Sequence, residues 1–92
     1  MANYIVSYDL NGSKPSHEQM DEHLEESGWV TARILETVWY IGCEASRDEV
    51  FSYVKSILSE DDGLIVVTAK TAKWRKLLVD SDSLVAAWNE NR

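Results

Sequence analysis

Residues Trp29 to Cys43, WVTARILETVWYIGC, decide how this chain is read. The stretch is dense in β-branched and aromatic side chains, which pack well on a pleated surface, and it is longer than the five or so residues of an ordinary strand. A break at Leu35–Thr37 divides it into a hairpin, Val30–Ile34 against Val38–Gly42, although no Asn-Gly pair marks the turn.

Working outward, Asn3–Asp9 alternates and places apolar groups on both faces, the pattern of a central strand. The loop LNGSKP follows, and Ser16 with Gln19 forms a capping box that starts a helix at about His17. Its expected stop is Gly28. Met20 and Leu24 give that helix a thin apolar stripe, while Glu18, Asp21, Glu22, Glu25 and Glu26 cover its outside. Downstream of the hairpin a second capping box, Ser46 with Glu49, opens a helix whose Val50, Phe51, Val54, Ile57 and Leu58 form a broad apolar face. SEDDG ends it, and LIVVTA reads as a buried strand.

The order β, α, β, β, α, β predicts an α+β protein with a ferredoxin-like antiparallel sheet and both helices on one face. Residues 3–70 form the core of a single domain spanning 1–92, and residues 71–92 are a tail. The tail reads as a basic segment, then a Ser-Asp-Ser helix start and a last amphipathic turn with Leu84, Val85 and Trp88. Either the tail or a second subunit must cover the open face of the sheet.

Composition narrows the classes. The 92 residues leave room for one domain, and sixteen Asp and Glu against nine Lys and Arg give a net charge of −7. Such a charge repels nucleic acid unless the bases are concentrated in one place. The single Cys43 excludes an intramolecular disulfide and a cysteine-rich zinc site. The longest apolar run is Val38–Ile41, and no export signal is visible, so a cytoplasmic protein with no membrane partner is expected. Four Trp and four Tyr exceed what one small core easily covers, which predicts aromatic surface in need of a partner.

The segments YIVSYDL, RILETVWYIG, SRDEVFSYVKSIL and DDGLIVVTAK resemble the CRISPR-associated protein 2 family and its standalone relatives, including VapD-type ribonucleases. The likeness covers about residues 3–70, and its most specific element is the pair Tyr8-Asp9 that closes the first strand. It implies a homodimer of ferredoxin-like protomers joined sheet to sheet, with RNA or DNA as partner. Two mechanisms follow from the resemblance. One is cleavage of a phosphodiester, with Asp9 as the catalytic residue and Mg ligand opposite its dimer mate. The other is a scaffold that lies along duplex DNA without cutting it.

Read as residues, the candidate sites leave alternatives open. Asp9 has only Ser7 and Asn11 near it to help hold a metal, and an Asx-type turn that satisfies the loop amides explains it as well. His17 and His23 lie on different helix faces and read as exposed, and Cys43 reads as a buried small residue or a free thiol. Lys70, Lys73, Arg75 and Lys76 surround Trp74, which suits phosphate contact with base stacking but also suits pairing with the acidic first helix. Trp39 and Trp88 read as core or dimer-interface anchors. The rival functional class is a non-enzymatic interaction protein, antitoxin-like or a phage accessory, that engages a basic protein partner. A variant of it binds a small nucleotide in the dimer groove, where the tail's Lys and Arg meet Trp74.

Overall fold

The computed structural model describes residues 1–92 as four strands and three helices: β1 (Ala2–Asp9), α1 (His17–Glu25), β2 (Val30–Leu35), β3 (Val38–Cys43), α2 (Arg47–Lys55), β4 (Gly63–Ala69) and α3 (Ser81–Glu90). The strands form one sheet in the order β2-β3-β1-β4, and every neighbouring pair is antiparallel. Both expected capping boxes are present: Ser16 Oγ accepts from the Gln19 amide and Ser46 Oγ from the Glu49 amide. Each such cap is worth about 1 kcal/mol to its helix. Gly28 takes a φ of 82°, a left-handed conformation that suits glycine in the turn leaving α1.

The sheet carries a core on each face. Because side chains alternate along a strand, Tyr4, Val6 and Tyr8 of β1 point to one side with Trp39, Ile41 and Cys43 of β3. There they meet Met20 and Leu24 of α1 and Val50 and Val54 of α2, so these two helices share that face. On the other side Ile34 and Tyr40 pack against Leu84 and Trp88 of α3, with Ile5, Trp74 and Leu77 at the margin. The tail thus folds back over the face that the βαββαβ order leaves open. Its helix begins one residue after an Asp80 cap, whose side chain accepts from the Ser83 amide.

A small polar network fastens α3 down. Asn3, buried within β1, donates to the Trp88 carbonyl at 3.1 Å and accepts from the Tyr40 hydroxyl, and the Trp88 indole donates to the Lys70 carbonyl at 3.1 Å. Buried polar groups paired this way avoid the cost of lost solvation and set the position of the helix. Gly42 makes room for the network: a Cβ there would lie 2.5 Å from the Tyr40 hydroxyl and 2.6 Å from Asn91 Nδ2.

Three expectations are corrected. The two cores between them bury Tyr4, Tyr8, Trp39, Tyr40 and Trp88, while Trp29, Tyr53 and Trp74 are partly buried, so most of the aromatic surplus is absorbed within one chain. β4 is an edge strand rather than a buried one, and Ile65 and Val67 stand 57% and 44% exposed beyond the reach of α3. Periodicity identifies a strand but carries no information on its rank in the sheet. Finally, α2 ends at Lys55 and buries only Val50 and Val54, leaving Phe51 exposed while Ile57 and Leu58 pack from the following turn. No helix is long and apolar enough to cross a membrane.

Candidate nucleic-acid interface

Asp9 closes β1 opposite Gly63 of β4, and its carboxylate is exposed and makes no hydrogen bond. The neighbouring loop amides belong to a different acid. Asp62 accepts from the Asn11 amide at 2.7 Å, the Gly12 amide at 3.3 Å and the Ser59 amide at 2.8 Å. Those backbone donors, Asn11 and Ser59 foremost, hold the Asp62 pKa below its ordinary value because they stabilise the charged carboxylate. The Asx-turn explanation of Asp9 therefore passes to Asp62, a residue whose signal in the sequence was only its place before Gly63 in SEDDG.

The structure brings no three His, Cys, Asp or Glu side chains together as a metal-binding group. Around Asp9 one chain therefore gathers fewer than three such ligands, short of the several oxygens a Mg²⁺ site takes, so the donors of a single chain do not fit that ion. His23 is not the exposed side chain expected of it: its Nε2 lies 2.6 Å from the Tyr53 carbonyl, and its ring stacks on Tyr53. Cys43 is buried against Ala45, and burial pushes its thiol pKa up, away from the thiolate that a nucleophile needs.

The basic segment lies elsewhere. Residues 70–92 carry five Lys and Arg against three acids, whereas residues 1–69 carry four against thirteen. The tail and the acidic α1 occupy opposite faces of the sheet, so they do not neutralise each other within the chain. The ion pairs of the molecule are Arg33–Asp21 at 3.8 Å and Arg47–Asp48 at 3.6 Å. Lys70, Lys73, Arg75, Lys76 and Arg92 are exposed and take no part in one.

Trp74 stands among these cations, half-buried, with its indole donating to Ser81 Oγ at 3.1 Å and tilted against Trp88 at 6.0 Å. It separates two hollows. One, of about 230 Å³, is bordered by Lys70, Val85 and Arg92; the other, of about 390 Å³, lies between the sheet and the segment 72–77, with Lys73 and Arg75 at its edge. Cations flanking an aromatic wall suit a phosphate backbone carrying flat bases. Trp39 and Trp88, by contrast, are buried inside the chain, at 3% and 7% exposure: Trp39 donates to the Tyr8 hydroxyl at 3.3 Å and Trp88 stacks on Tyr40. No protein-family model matches the sequence, and no curated protein matches it either.

Proposed function

We propose that this chain is a nucleic-acid-binding protein of ferredoxin-like fold, similar to the CRISPR-associated protein 2 family, that holds a strand through residues 70–76 without cleaving it. The observation that carries the reading is the set of unpaired cations around Trp74, segregated from the acidic helices by the thickness of the sheet. Support for the fold comes from the strand order: β3 lies between β1 and β2, and β1 lies between β3 and β4, so each βαβ unit is split by one strand of the other. Binding is favoured over cleavage because no three His, Cys, Asp or Glu side chains gather at Asp9, while the unpaired cations gather on the opposite side of the sheet from α1.

The test is titration of a fluorescent single-stranded oligonucleotide at rising salt. Four phosphate contacts give a log–log slope of about −3, and replacing Lys73, Arg75 and Lys76 by Gln should flatten it by about 2. An unchanged slope in the triple variant sinks the assignment.

A homodimer belongs to the same reading. Ile65 and Val67 lie bare on the edge strand β4, beside unpaired backbone groups that a second copy would cover. Light scattering that returns a monomer at high protein concentration removes this part and leaves the binding reading intact.

A further inference from the structure

The segment 71–77 crosses the second face of the sheet as a strap. Its first end is held where the Trp88 indole donates to the Lys70 carbonyl, and its last where the Leu78 amide donates to the Ile34 carbonyl at 2.9 Å. Between these points its backbone is bound to neither the sheet nor α3, and Lys76 adopts a φ of 55°, a left-handed conformation that a lysine occupies only at a cost. Under the strap is the hollow of about 390 Å³, floored by Ile5, Val38 and Tyr40 and walled by Trp74, Leu77 and Trp88. That volume falls within the range of about 300–1,000 Å³ for small-ligand pockets, and its lining is almost wholly apolar and aromatic.

We propose that this hollow takes one unstacked base of a single-stranded nucleic acid, with the adjoining phosphates on Lys73 and Arg75. The inference rests on the binding reading given above and adds to it a pocket for a base. Three observations lead to that occupant. The half-buried Trp74 offers a flat surface on the wall of the hollow, and every base has a matching π-face whatever its sequence. The cations sit at the edge of the hollow while its floor carries none, which fits a ligand with a flat apolar part inside and an anionic part outside. Those cations have no carboxylate partner in the chain, so an incoming phosphate displaces no ion pair.

The experiment compares three ligands on the intact protein: a single-stranded oligonucleotide, the same backbone with abasic sites, and a free mononucleotide. Insertion of a base predicts that the complete strand binds about tenfold or more tightly than the abasic one, with tryptophan quenching. The mononucleotide, lacking the neighbouring phosphates, should bind weakest. Trp74→Leu, which keeps the apolar volume but removes the π-face, should cancel the preference for bases and the quenching while leaving the salt slope unchanged. Equal, salt-dependent affinity for complete and abasic strands overturns base insertion and leaves backbone binding standing. A mononucleotide that binds as tightly as the strand also overturns it. No binding of any of the three overturns both readings. The comparison of ligands on the wild-type protein needs no variant to fold.

Discussion

His23 and Tyr53 clasp α1 to α2: their rings stack in parallel at 4.2 Å, and each reaches the backbone of the other. The Tyr53 hydroxyl donates to the His23 carbonyl at 2.6 Å, while His23 Nε2 sits 2.6 Å from the Tyr53 carbonyl. Trp29 closes the group edge-on to Tyr53 at 5.3 Å. Tyr53→Phe keeps the stack and loses one hydrogen bond, so it should cost about 1 kcal/mol in urea unfolding. His23→Ala keeps that bond, which ends on its backbone, but loses the stack and the Nε2 contact with the Tyr53 carbonyl, and should cost about 2 kcal/mol. Equal costs for the two variants would contradict a stacking contribution.

Gly42→Ala tests how tightly α3 is seated. The added methyl meets Tyr40, whose hydroxyl is held by Asn3, and Asn91, whose amide donates to the Ala87 carbonyl, so either side chain retreats only by giving up a hydrogen bond. The expected loss is about 1–3 kcal/mol. It should be accompanied by a red-shifted tryptophan emission as the end of α3 lifts. Full stability with an unchanged spectrum would show the end of the helix to be loosely packed.

Asp62 makes part of the stability depend on pH. Its pKa is lowered in the folded state by backbone donors, so its contribution is complete above the ordinary aspartate value, about 3.9, and is lost as pH falls through the lowered one. Glu49, lowered by its hydrogen bonds with Ser46, acts with the same sign. Asp62→Ala should therefore melt below wild type at pH 7, and the gap should close on acidification. A gap that stays constant from pH 7 to strongly acidic solution would falsify the linkage.

Asp9→Ala separates binding from chemistry. Asp9 is exposed, makes no hydrogen bond and lies outside the tail, so oligonucleotide affinity and stability should both change by no more than about twofold in their equilibrium constants. Should Mg²⁺-dependent cleavage be seen in wild type and vanish in this variant, the protein is an enzyme and the binding-only reading fails.

Lys76→Gly should move stability and binding in opposite directions. Removing the side chain relieves the left-handed backbone by up to about 1 kcal/mol, while the lost charge takes about 0.7 from the salt slope. A variant that is less stable than wild type would show that the φ of Lys76 carries no strain.

Much of the fold is legible in the residues. The two capping boxes mark the helix starts, and Leu35–Thr37 marks the hairpin break despite the missing Asn-Gly pair, because the strand residues on either side outweigh a poor turn. The need for a cover over the second face is legible too, although its fastening is not. Asn3 looks like an ordinary polar residue at a strand start, and only the fold brings it to Tyr40 and Trp88, more than thirty and eighty positions away. The exposure of Ile65 is illegible for a related reason: the edge of a sheet is a property of the whole topology, not of the strand. At the site, the basic segment stands out as a run of charges, whereas the hollow beneath it requires both the strap and the sheet.

The segregation of charge across the sheet makes the molecule an electrical dipole as well as a monopole. On the binding reading, a polyanion pushes the body away as a whole and at the same time turns it, so that the tail comes to face the strand. At moderate salt, where the screening length is about 10 Å, the helical layer on the far side contributes little repulsion once the tail has arrived. On that reading orientation thus precedes attraction, and an encounter that begins with α1 foremost is repelled.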